Sequence, residues 1–214
     1  TSPLALARLQ RLANQVGIEC KWQVPNVPEN AAAVASDALL QSKGTEMQLI
    51  LEAFEFIKSD VIGVGAIAEW IAQHALPGAP NKFFADKLKS DLVVLNDTDF
   101  SHFARHAMVV EPHVRINDAS GTADDGGLFY VENLPPETLM VGLAQASIER
   151  YKKDSRNGDA APLLQAAGVL QQVFAGGNGN TPGIGGKLLQ IGGDATTGRG
   201  LVVVQPALSN SKEA

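Results

Sequence analysis

Apolar positions in residues 3–16 recur at helical spacing. Ala5, Leu9, Leu12, Ala13 and Val16 fall on one stripe, Thr1 or Ser2 can cap the helix, and Pro3 suits its first position. Residues 21–45 show no period; Pro25 and Pro28 interrupt them, and the small residues that follow predict a short helix. "MQLILEAFEFIKS" (47–59) carries two signals: its propensities favour helix, while the alternations Leu49/Leu51 and Phe54/Phe56 favour strand. "VIGVGAIAEWIAQHAL" predicts a helix ended by Pro77-Gly78, "NKFFADKLKS" a second short helix, and "DLVVL" (91–95) a strand. In "NDTDFSHFARHA", Asn96 to Asp99 are cap candidates for a further short helix.

From Met108 the pattern changes. "MVVEPHVRIN" predicts a strand, "DASGTADDGG" a long polar turn and "LFYVENL" a returning strand, which together make a long hairpin. "ETLMVGLAQASIE" alternates Leu139, Val141 and Leu143 with smaller or polar residues and predicts a strong strand. "APLLQAAGVLQQVFAG" (161–176) predicts an amphipathic helix with Pro162 early and Gly176-Gly177 at its end. "LLQIGGDATTGRGLVVV" (188–204) then sets two strand-like runs around a loop that holds four of the chain's 21 glycines. With the helix at 3–16, this order implies an α+β domain, helices on one face of a mostly antiparallel sheet.

Bulk numbers narrow the class. The 214 residues, 45% hydrophobic, suffice for one domain with a real core. The longest mainly apolar stretch, Val61 to Leu76, is broken by Glu69, Gln73 and His74 and is too short and polar to span a bilayer. "TSPLALARLQ" lacks the flank and core of a signal peptide. The single Cys20 cannot form an internal disulfide, reads as an ordinary buried thiol and makes a reducing, cytoplasmic setting the expectation. A net charge of −6 argues against a chain coated in basic residues. Arg150, Lys152, Lys153 and Arg156 in "ERYKKDSRNGD" form a local basic run that also suits a solvated loop.

Most motif readings fail on chemistry. "GDATTGRG" lacks the Lys-Ser/Thr pair of a phosphate loop at Arg199 and Gly200, and a strand rather than a helix follows it, so a mononucleotide or dinucleotide site is not indicated. Its backbone can still offer N–H groups to phosphate oxygens as a nest, with hydroxyls from Thr196 and Thr197 and the fork of Arg199; a plain connecting loop is the equal alternative. His102 and His106 have metal-ligand spacing but lack the glutamate and the further ligands of a zinc site. "DASGTADDGG" begins like a calcium loop, but Ala123 and Phe129 stand where the turn glycine and closing glutamate belong.

Two blocks in order carry a resemblance. "HVRINDASGTADDGGLFYVENLPPETLM" and "LLQIGGDATTGRGLV", with "DTDF" upstream and the "TSPL" helix start, are similar to RAMP-superfamily proteins, in particular the backbone subunits of type III-B CRISPR effector complexes. That resemblance implies a modified ferredoxin-like (RRM-like) fold: residues 1–18 the first core helix, 19–106 a largely helical insertion, 107–137 a protruding thumb hairpin, and 138–208 core strands, second helix and glycine-rich loop. It implies stacking on copies of itself and on other effector subunits along a guide RNA that pairs with target RNA. The glycine loop (Gly192, Gly193, Thr196, Thr197, Gly198, Arg199 and Gly200) would lie against the guide backbone. The thumb would wedge into the guide–target duplex, with Arg115, Phe129 and Tyr130 as contacts, or with Phe129 and Tyr130 packing at its base instead. The family's target-RNA cleavage uses a divalent metal and an aspartate loop preceding the first helix. That loop and the first strand have no counterpart in this sequence, so no residue of it is assigned a catalytic role. A backbone subunit of another type III complex and a purely structural assembly module are the alternatives.

Overall fold

The computed structural model describes residues 1–150, 163–177 and 181–207. Helix α1 (Pro3–Gln15) starts as its sequence dictates: the Ser2 hydroxyl accepts from the Ala5 N–H at 3.3 Å and Pro3 occupies the first turn. Its buried stripe centres on Leu6 and Ala13, with Leu9 packed beside them, one position away from the stripe expected at Ala5. Ahead of it, Thr1 lies along a sheet edge. Its nitrogen donates to the Val93 carbonyl and its carbonyl accepts from the Leu95 N–H, both at 3.0 Å.

That edge belongs to a five-stranded sheet. Strands β1 (Ala31–Val34), β2 (Leu40–Lys43), β3 (Glu46–Leu51), β4 (Phe54–Lys58) and β5 (Val93–Leu95) lie in the order β2-β3-β4-β1-β5. Strand β1 runs parallel to β4 and antiparallel to β5. Helices α2 (Val64–Ala75), α3 (Lys82–Asp91) and α4 (Asp97–His106) complete this half. The alternation of strand side chains builds two cores. Ala33 and Val94 face α1 and α2, meeting Leu6, Trp22, Val64, Ile67 and Ala68. Ala32, Leu95, Leu49 and Phe56 face the other way, under Phe100 and Phe103 of α4.

Residues 19–106 are therefore not the helical insertion expected of them: they hold the largest sheet and nearly all of the core. The small residues before Ala35 form β1 instead of a helix. A central strand covered on both faces needs small side chains, and that packing overrides alanine's helical preference. The ambiguous 47–59 segment resolves as the β3–β4 hairpin. Leu49 and Phe56 sit directly opposite each other in it, and Glu52 adopts a left-handed φ of 54° in its tight turn.

The "DTDF" stretch has a structural use. Asn96 caps α4 by accepting from the Asp99 N–H at 2.9 Å. The Asp97 carboxylate accepts from the Leu4 N–H at 2.9 Å and the Asp99 carboxylate from the Asn30 N–H at 3.2 Å. The three residues thus tie the start of α1, the entry to β1 and the start of α4 together, with carboxylates at helix N-termini where the dipole favours them.

Beyond α4 come β6 (Val109–Ile116), β7 (Ala123–Asn133), α5 (Ala166–Ala175), β8 (Leu188–Gln190) and β9 (Leu201–Val203). β6 with β7, and β8 with β9, form two separate two-stranded sheets, so the strands of 138–208 are not part of the main sheet. The strong strand expected at 137–149 does not form. It pairs with no strand among the described residues, and Leu139, Val141 and Leu143 are exposed. Helix α5 begins five residues after the expected start; Ala161 and Pro162 lie outside the described residues. No helix among the described residues is long and apolar enough to cross a membrane.

Candidate nucleic-acid interface

The β6–β7 hairpin is the longest ladder among the described residues, running from Val109 opposite Asn133 to Ile116 opposite Ala123. Its return strand starts at Ala123, ahead of the expected Leu128, so the turn spans only 117–122. Asn117 organises that turn. Its side-chain oxygen accepts from the N–H groups of Ala119 and Ser120 at 3.0 and 3.2 Å, and its amide nitrogen donates to Asp124 at 3.1 Å. A bulge between Val114 and Ile116 places the exposed Arg115 at the distal end.

Strand alternation gives the hairpin two unlike faces. Val110, Pro112, Val114, Leu128 and Tyr130 share one, and its apolar members lie open to solvent, Tyr130 at 64% exposure. Glu111, His113, Phe129 and Val131 share the other, where the His113 and Phe129 rings stack at 5.4 Å and 19°. Phe129 and Tyr130 therefore point to opposite sides, and neither is buried at the hairpin's base.

The glycine loop joins β8 to β9. Its ends are fastened by the Ile191 N–H donating to the Gly200 carbonyl at 2.8 Å. The Gln190 side-chain amide spans the mouth, donating to the carbonyls of Gly192 and Gly193 at 3.1 and 3.4 Å. A short helical turn follows at Ala195–Thr197. There the Thr197 N–H and hydroxyl both donate to the Asp194 carbonyl, at 3.0 and 2.9 Å.

The four glycines differ in what the fold asks of them. Gly192, Gly198 and Gly200 have φ of 101°, 79° and 70°, and a Cβ on Gly200 would lie 2.2 Å from the Ile191 carbonyl oxygen. Gly193 has neither constraint: its φ is not in the left-handed region and a Cβ there would meet nothing within 4 Å. The N–H groups of Gly192, Gly193 and Asp194 donate to no described residue.

Arg199 links the two hairpins. Its Nη2 donates to the Glu111 carboxylate in an ion pair between side chains about one-third exposed. The structure thus brings Gly192, Gly193, Thr196, Thr197, Gly198, Arg199 and Gly200 together and ties them to the proximal part of β6. It keeps Arg115 at the far end of the ladder, away from that tie. Sequence reasoning missed Glu111 and Gln190. An isolated acid on the inward register of "VVEPHV" is the one signal that pointed to the former. Of the basic run, Arg150 is exposed, and Lys152, Lys153 and Arg156 lie outside the described residues.

The other candidates take structural places. His102 and His106 lie one turn apart on α4 with ring centroids 4.8 Å apart and tilted by 44°, and His102 packs edge-on against Phe54. Cys20 is half-buried beside the main core, and that burial pushes its thiol pKa up, away from nucleophilic use. No three His, Cys, Asp or Glu side chains among the described residues converge to hold a metal ion.

Comparison with known proteins gives the family and the fold. A family model described as the RAMP superfamily matches residues 11–203. The CRISPR system Cmr endoribonuclease Cmr4 of Pyrococcus furiosus is 28% identical over 206 residues, covering 95% of this chain and 60% of its own length. The crystal structure of oligomeric Cmr4 from Pyrococcus furiosus superimposes with a TM-score of 0.51 at 20% identity, over 96% of this chain and 62% of that one, which shows a shared fold. The chain thus spans about three-fifths of the length of these relatives.

Proposed function

The chain belongs to the RAMP superfamily, and from that premise we propose that it is a guide-RNA-binding backbone subunit of a type III-B CRISPR effector complex. Gly193 carries the reading. The fold does not require a glycine there, yet the position stands bare among N–H groups that donate to no described residue, in the same loop that carries Arg199. A backbone stripped of side chains next to donors and a fork-shaped cation suits phosphate oxygens of a passing strand. Such contacts are independent of base identity and leave sequence recognition to pairing between guide and target RNA.

The second element is the hairpin. Its exposed apolar face, on which Tyr130 is more exposed than Val110, Val114 and Leu128, suits insertion against bases of the guide–target duplex. The reading extends to stacking along the guide with copies of itself and with other effector subunits, in the cytoplasm; the likeness to oligomeric Cmr4 supports the self-association. That relative is named an endoribonuclease. For the whole protein we propose metal-dependent cleavage of target RNA. The described residues do not fit a metal site, and Asp97 and Asp99 are held in backbone contacts, so no cleavage step is assigned to them. The test is equilibrium binding of labelled single-stranded RNAs of different sequence over a salt series. Comparable affinities that fall steeply with salt are expected; absence of binding would remove the proposal.

A further inference from the structure

Glu111 stands in an unexpected place. It is a carboxylate on the inner face of the hairpin, in an acidic chain, beside a loop proposed to receive phosphates. By charge alone it repels the ligand. Its contact gives the reason for its presence. The Arg199 backbone is held on both sides, its N–H donating to the Asp194 carbonyl at 3.2 Å and its carbonyl accepting from Gln190 at 3.5 Å. The side chain is the part left free to wander, and an arginine that must be ordered on binding loses affinity. Glu111 takes the Nη2 group, while Nε and Nη1 donate to no described residue.

We infer that Glu111 is a positioning residue: it fixes the Arg199 guanidinium by one edge so that the remaining N–H groups meet an RNA phosphate without prior ordering. This rests on the RNA-binding reading above and adds the residue that prepares its cation. The ion pair also fastens the glycine loop to β6, so loop and hairpin approach the strand as one unit.

A double-mutant cycle on RNA affinity tests it, with thermal melting of each variant as the control for folding. Glu111→Ala should weaken RNA binding roughly threefold to tenfold where Arg199 is present. In the Arg199→Ala background it should weaken nothing. Glu111→Gln, which keeps a carbonyl to accept from Arg199, should restore part of the loss. A Glu111→Ala protein that binds RNA as tightly as the parent, or more tightly, while Arg199→Ala binds more weakly, overturns the positioning role and leaves the RNA interface standing. An Arg199→Ala protein with unchanged RNA affinity overturns the phosphate assignment of the loop, and this inference with it.

Discussion

The two halves of this chain solve opposite problems. Among the described residues, every fully buried hydrophobic side chain lies between Leu6 and Leu95. Beyond Val109 the described residues form two hairpins, a helix and an irregular 134–150 segment that bury none, and Val114, Leu128, Tyr130, Met140, Leu188 and Val203 are open to solvent. The first half hides its apolar surface against itself. The second presents apolar and polar groups outward, and its two hairpins are each held by a ladder and joined to each other by the Arg199–Glu111 ion pair. A surface of that kind fits a subunit whose binding partners complete its burial.

If the division is real, damage to the first half should cost stability and damage to the second should cost binding. The largest effect is expected at Ile67, 1% exposed between the sheet and α2. Ile67→Ala should lower unfolding free energy by about 2–5 kcal/mol in a denaturant titration, with the RNA affinity of the folded fraction unchanged. Next comes a contrast inside the glycine loop. Gly198→Ala forces a side chain into φ 79° and should cost about 1 kcal/mol or more of stability. Gly193→Val should leave stability within about 0.5 kcal/mol yet weaken RNA binding, because the added side chain blocks approach to the backbone. Equal melting losses at both positions would erase the distinction. Smallest of all, Leu139→Ser, at an exposed position of the 137–149 segment, should shift stability by no more than about 0.5 kcal/mol. A large loss there would mean that this segment is packed after all.

The same contrast explains what the sequence made legible. Local signals were read correctly where neighbours agree with them: Ser2 and Pro3 opening α1, Asn96 capping α4, and Pro77-Gly78 following α2. The two hairpins were visible because each joins strands close in sequence. Of the main sheet, only β5 and the alternation within 47–59 were legible; β1 was not, because it pairs with β4 and β5 across long stretches of chain and its alanines read locally as helix. Leu139, Val141 and Leu143 misled for the converse reason: alternation gives a strand two faces but supplies no partner strand. The glycine loop was recognised by composition, yet its tie to Glu111 links residues 88 positions apart. No local pattern reports such a contact.

The central claim is that the glycine loop grips RNA through its phosphates. The most direct test is the salt dependence of RNA affinity for the parent and Arg199→Ala proteins, both confirmed folded by their melting curves. A steep linear fall of log affinity with log salt is predicted for the parent. Arg199→Ala should bind more weakly across all RNA sequences, with a slope smaller by about one. Identical affinities and slopes for the two proteins would contradict the account.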